Sequence, residues 1–257
     1  MKIAIQIDDL AFQYGKEEII NGLNVGFEKG KLSVILGRNG SGKSTLFHVM
    51  TGLEKNYSGT VSIYEKDRKK LTYANLSSIL GFLPQFHKTT FPFKVIDVLL
   101  TGRAAFSTYM PHKKDYEIAE SVLTDLNLLH LRDKEYTSLS GGERQLILLA
   151  RVLVQQPEII LLDEPTNHLD LYYQVFILEK LKTLTQKGIT VICIMHDPNL
   201  AFMYGDEFYV MRNKGLVELR DLNDLQRGAL LEEVYQLPLI FLENQGKLMI
   251  SPLLQQH

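Results

Sequence analysis

Three groups of residues in this chain have the types and spacing to handle phosphate. The first is Gly37-Arg38-Asn39-Gly40-Ser41-Gly42-Lys43-Ser44, followed by Thr45, which fits G-x-x-x-x-G-K-[ST]. Its glycines let the backbone curl so that successive N–H groups face phosphate oxygens, and the N-terminus of the next helix adds its positive dipole end. In that pattern Lys43 gives a point charge to the β/γ-phosphates and the Ser44 hydroxyl is placed to ligate Mg²⁺. The second group closes the apolar run Ile159-Ile160-Leu161-Leu162 with Asp163-Glu164. Acids at the carboxyl end of a parallel strand lie where α/β folds place ligands, so Asp163 is expected on the nucleotide's Mg²⁺. Glu164, one residue on, is free to take a proton from an attacking water. The third is Leu139-Ser140-Gly141-Gly142-Glu143: Ser140 and Glu143 have capping-box spacing, and the two glycines in one helical turn suggest a phosphate approaching the backbone.

The elements that must hold these groups are legible around them. Leu32–Leu36 reads as a buried strand before the glycine-rich loop, and Leu46, Val49, Met50 and Leu53 follow helical spacing after it, with Gly52 marking the end. Alternating runs from Ile3 to Phe27 and Thr60 to Tyr64 read as strands, and Tyr14-Gly15 as a turn. Asp67–Ser78 is polar, and Ile79–Leu83 is apolar again, stopping at Pro84-Gln85. Between Phe93 and Ser138, Leu99 and Leu100 fall in one helical pattern and Tyr116, Ala119, Leu123 and Leu126 in another, an all-helical insertion. Ser140–Gln155 reads as a long helix stopped by Pro157, and Tyr172–Leu184 as a helix between two fully apolar strands, 159–162 and 189–195. Apolar strands divided by helices indicate a parallel sheet covered on both faces. Hairpins are expected at 207–219 and 238–250.

The 257 residues are 45% hydrophobic and 23% charged with a net charge of −2, a composition that gives no electrostatic support to nucleic acid binding. The single cysteine, Cys193, excludes an internal disulfide framework and sits in an apolar run, as a buried hydrophobe would. Asp8 and Asp9 interrupt the start where a signal peptide needs its apolar core, and no apolar stretch is long enough to span a bilayer, so a cytoplasmic protein is expected.

Taken together, Gly37–Thr45, Leu139–Glu143, Ile159–Glu164, Asn167-His168-Leu169-Asp170 and His196, in this order, resemble the ATPase subunit of an ATP-binding cassette transporter. The resemblance implies one α/β domain over residues 1–257 with the P-loop NTPase fold: a parallel-sheet core, an antiparallel β subdomain and a helical signature subdomain at about 86–155. It also implies roles. Tyr14 matches the aromatic that stacks on adenine, and Gln85 the hinge glutamine that reaches Mg²⁺ and water. Ser140, Gly142 and Glu143 match the signature that contacts the γ-phosphate of the opposite subunit. Asp170 matches the acid that crosses the dimer interface, and His196 the histidine that holds the γ-phosphate. Glu143 stands where glutamine is commoner and Leu146 where a basic residue is frequent.

The implied cofactors are ATP and Mg²⁺. The implied partners are a second copy, paired head to tail around two ATP molecules, and integral membrane permease subunits, with an external solute-binding protein. The subunit would sit on the cytoplasmic face of the membrane. The segment Phe93–Arg103 and the tail Leu231–Tyr235 resemble importers of iron chelates, haem and cobalamin, and Phe91 and Phe93 fall where the family docks its permease. The competing expectations are a soluble cassette of the cluster-assembly type and a nucleotide-binding regulatory module without turnover. Retention of both Glu164 and His196 counts against the latter.

Overall fold

The computed structural model describes residues 2–85, 92–106, 110–244 and 246–253. The chain begins with two twelve-residue strands, β1 (Ile3–Tyr14) and β2 (Glu17–Glu28), then β3 (Leu32–Leu36), α1 (Lys43–Thr51), β4 (Ser58–Ile63) and β5 (Lys66–Asp67). There follow α2 (Tyr73–Ile79), β6 (Leu80–Leu83), α3 (Val95–Thr101), α4 (Lys113–Asp125), α5 (Gly141–Leu153), β7 (Ile159–Asp163) and α6 (Leu171–Gln186). The last third holds β8 (Thr190–Ile194), α7 (Pro198–Tyr204), β9 (Glu207–Arg212), β10 (Gly215–Glu218), α8 (Asp224–Tyr235), β11 (Leu239–Asn244) and β12 (Lys247–Pro252). These elements form two compact units, Met1–Lys70 with Thr190–His257, and Leu71–Ile189.

In the first unit β2, β1, β4 and β5 make an antiparallel sheet in that order. A second layer places β3 between β8 and β9, parallel to both, with β10 antiparallel on β9. Every residue of β3 and β8 is buried, which is why these strands are apolar but for Ser33 and Thr190 and show no alternation. At about 1.5–3 kcal/mol for each large aliphatic side chain removed from water, these strands fix the sheet more firmly than any local propensity. The single cysteine is a buried hydrophobe as expected: Cys193 is fully buried in β8.

In the second unit β6 and β7 pair in parallel, Leu83 opposite Leu162, so Gln85 and Asp163 leave the pair at the same end. The helices α3, α4 and α5 pack on one another through Leu99, Ala119, Leu123, Ile147 and Ala150, all buried. Leu146 is also buried, so the basic residue frequent at its place in the family would here carry a charge into an apolar contact.

Several boundaries differ from expectation. Leu53 lies beyond the Gly52 C-cap of α1 and is 60% exposed, off the apolar face assigned to it. Tyr64 is outside β4, in a left-handed turn at φ 45°. Tyr116 lies on the exposed side of α4, whose buried face is Ala119 and Leu123. The polar stretch after Asp67 contains α2, capped by Thr72, whose hydroxyl accepts from the Asn75 N–H. The two expected hairpins form, β9 with β10 and β11 with β12, but two helices were not expected there, α7 before the first hairpin and α8 between the two. Among the described residues no helix is long and apolar enough to cross a membrane.

Candidate functional site

In the first unit, β3 ends at Leu36 and the chain turns through Gly37, Gly40 and Gly42 at φ 143°, 76° and 105° before α1 begins. Side-chain-bearing residues rarely adopt such angles, so the three glycines are what the turn's shape requires. Lys43 is 5% exposed, and its Nζ donates to the Gly37 and Arg38 carbonyls at 2.7 and 2.8 Å, which draws the ammonium across the loop. The Ser41 hydroxyl is buried with no hydrogen-bond partner among the described residues, while Arg38, Asn39 and Gly40 face solvent. An ammonium, a run of backbone N–H groups and an unpartnered buried hydroxyl converge on the loop, and that donor set fits a polyphosphate anion. Ser44 and Thr45 start the helix half-buried.

Tyr14, at the end of β1, is 46% exposed and meets Phe12 edge to face at 4.8 Å. Its hydroxyl donates to Glu54 Oε1 at 3.0 Å and lies within hydrogen-bonding influence of Thr45. Partial burial, then Glu54, raises its pKa above the ordinary tyrosine value. The aromatic ring and the phosphate loop are thus brought together within one unit. His196 follows β8, whose Ile194 is opposite Ile35 of β3, so His196 and Gly37 leave neighbouring strands at the same end.

In the second unit the carboxylates end β7. Asp163 is 3% and Glu164 8% exposed. Glu164 has φ 54°, a left-handed conformation that costs a side-chain-bearing residue on the order of 1–3 kcal/mol and that clusters at functional sites. Its Oε2 accepts from Gln85 Nε2 at 2.5 Å and from Asn167 Nδ2, so two amides hold the carboxylate from opposite directions in sequence. Asn167 was recognised only as part of a motif; its grip on Glu164 had no local signal beyond the Asn-His-Leu-Asp run.

Ser140 caps α5 as its spacing with Glu143 foretold. The Ser140 N–H donates to Glu143 Oε2 at 2.8 Å, and the Ser140 hydroxyl accepts from the Glu143 N–H at 3.3 Å. The backbone hydrogen bond from Ser140 comes first among the causes that lower the Glu143 pKa. Gly142 has a reason besides phosphate: a Cβ there would stand 2.3 Å from the Tyr173 ring. Gly141 has open space around it. Asp170 caps α6 by accepting from the Tyr173 N–H at 3.0 Å, so the same turn that carries Asp170 sets the ring against Gly142.

Among the described residues no group of three or more His, Cys, Asp or Glu could hold a metal ion. The residues expected around Mg²⁺ are instead a hydroxyl, Ser44, an amide, Gln85, and one carboxylate, Asp163. Gln85 and Asp163, at the same end of the β6–β7 pair in the second unit, are oxygen donors of the kind that suit an ion that keeps waters and takes its remaining ligands from substrate phosphates. Phe93 is 52% exposed, and Phe91 lies outside the described residues.

Residues 20–167 match the family described as ABC transporter. The molybdate import ATP-binding protein MolC of Haemophilus influenzae is 34% identical over 96% of this chain and 94% of its own. The petrobactin import ATP-binding protein YclP of Bacillus subtilis is 29% identical over 94% of this chain and 97% of its own. A solved metal-chelate type ABC transporter in an inward-facing conformation is 32% identical, with a TM-score of 0.84 over 98% of each chain.

Proposed function

This chain belongs to the ABC transporter family, whose ATP-binding subunits are ATPases coupled to transport, and we propose that it powers an importer for a metal-bearing solute of the iron-chelate, haem or cobalamin kind. Support for the cargo class comes from relatives named for petrobactin and molybdate import and from a structural neighbour described as metal-chelate type.

In the proposed division of labour, Lys43 and the N–H groups of Gly40–Thr45 bind the β/γ-phosphates, and Tyr14 offers its exposed ring to the adenine. Ser44, Asp163 and Gln85 hold Mg²⁺. When bound, the ion neutralises phosphate charge and orients the γ-phosphoryl group. Glu164 takes the proton from the attacking water. The observation that most supports this is the pair of amides from Gln85 and Asn167 on one oxygen of a buried, left-handed carboxylate. Amides orient the base without neutralising it, as a cation would. His196 steadies the γ-phosphate, and Ser140, Gly142 and Glu143 receive the γ-phosphate bound by a second copy, paired head to tail. Most of the acceleration then comes from placement and charge, with general base catalysis contributing about 10²–10⁴-fold.

The pair of subunits is proposed to dock on the cytoplasmic side of permease subunits, with Phe91 and Phe93 at that contact and an external solute-binding protein delivering cargo. The test is purification of the chain from detergent-solubilised membranes. An accompanying integral membrane protein, and ATP turnover stimulated by a binding protein loaded with a metal chelate, are the expected results. A chain that accompanies no integral membrane protein, and whose turnover is indifferent to the loaded binding protein, would favour a soluble cassette of the cluster-assembly type.

A further inference from the structure

Among the described residues the C-terminal hairpin β11–β12 forms a sheet with no further strand, and an isolated two-stranded hairpin is marginal in water. It is anchored at Ile250 of β12. The Ile250 N–H donates to Asn199 Oδ1 at 2.8 Å, and Asn199 Nδ2 donates to the Ile250 carbonyl at 3.0 Å. Since both backbone groups go to Asn199, they face away from β11. The amide thus stands where the next strand of a sheet would stand. Ile250 is 7% exposed, Asn199 is half-buried and α7 packs against β12, so this pair is partly withdrawn from water.

Asn199 stands three residues after His196. The intervening turn is stiff: Asp197 Oδ1 accepts from the N–H groups of Asn199 and Leu200 at 2.8 and 3.2 Å, and Pro198 occupies the first turn of α7. From α8, Tyr235, whose hydroxyl is buried, lies close enough to Asp197 for that carboxylate to add to the effect of burial, which pushes the phenol up to about 12. The segment 196–199 is therefore held by the hairpin, which lies beyond residues 20–167.

We infer that the C-terminal hairpin, acting through the two-point contact between Asn199 and the Ile250 backbone, is a positioning device for His196. In this role Asn199 acts on the backbone and not on the nucleotide: it fixes the turn that aims the imidazole, and the inference rests on the role proposed for His196. Steady-state ATP hydrolysis by the full chain tests it in four variants: His196→Ala, Asn199→Ala, Asn199→Asp and the double variant His196→Ala/Asn199→Ala. The expected outcome is that Asn199→Ala lowers kcat about tenfold with KM unchanged, as a small misplacement of a reacting group does. Asn199→Asp keeps the shape but sets a carboxylate against the Ile250 carbonyl, and it repeats the loss without the cavity of the alanine variant. In the His196→Ala background, Asn199→Ala lowers kcat no further. An undiminished kcat in both Asn199 variants, beside an impaired His196→Ala, overturns the positioning role alone. A tenfold loss that persists in the double variant overturns it too, because Asn199 then acts by another route. Full activity of His196→Ala overturns the role of His196 and this inference with it.

Discussion

The phosphate loop and the Glu164 shelf both use left-handed backbone, but they achieve it by opposite means. Gly37, Gly40 and Gly42 take φ 143°, 76° and 105° without a side chain to object, and the loop's cation is satisfied by carbonyls five and six residues away. Glu164 and His168 take φ 54° and 60° with side chains attached. There the conformation is held by Asn167 nearby and by Gln85, 79 residues upstream. A binding loop that must accept an anion from any approach can be built from local sequence. On the role proposed for it, Glu164 must aim one oxygen at one water, and its carboxylate is over-determined from several parts of its unit.

The comparison makes separable predictions. The largest effect is expected from Lys43→Ala, which removes the buried ammonium of the loop. Nucleotide affinity should fall at least about a hundredfold, as truncating one partner of a buried charge pair does, and a titration with labelled ATP reads it directly. Unchanged affinity would remove the loop from nucleotide binding. Next, Gln85→Ala and Asn167→Ala each take one amide from Glu164. Both should lower kcat about tenfold while leaving ATP affinity intact, since a slackened base misaims but the binding loop is untouched. If affinity falls as much as kcat, the two regions are not functionally distinct.

Smaller effects are expected in stability. Gly142→Ala forces the Tyr173 ring to move and should cost about 1–3 kcal/mol in a denaturant titration. Combining it with Tyr173→Ala should restore stability. Turnover that stays lost in the double variant would show that Gly142 also keeps the backbone open to phosphate. The smallest change is Gly40→Ala, where nothing lies within 4 Å of the new Cβ and only the backbone angle of φ 76° objects. That should cost about 1–2 kcal/mol, the penalty of one left-handed residue.

How much of this was legible in the sequence follows the same division. The glycine loop, the apolar strands β3, β7 and β8, and the capping box at Ser140 and Glu143 were read within a residue or two, because each is written in consecutive positions. Helix α2 was missed because it buries only Leu76, too little to impose a period. Helix α8 was missed although Asn223 and Gln226 form a capping box; Gly228 inside it weakens the helical signal and instead lets the Phe241 ring approach. The packing of Tyr173 on Gly142 and the hold of Gln85 on Glu164 join residues far apart in sequence, and no spacing rule reaches them.

The central claim is that Glu164 is the base of an ATP hydrolase whose binding loop works independently of it. Phosphate release by Glu164→Gln, measured beside its ATP affinity, tests this most directly. The amide keeps the shape but cannot accept the water's proton, so hydrolysis should drop by about 10²–10⁴-fold while ATP stays bound, holding two copies together as a dimer on size-exclusion. Hydrolysis at the rate of the unaltered chain would contradict the account.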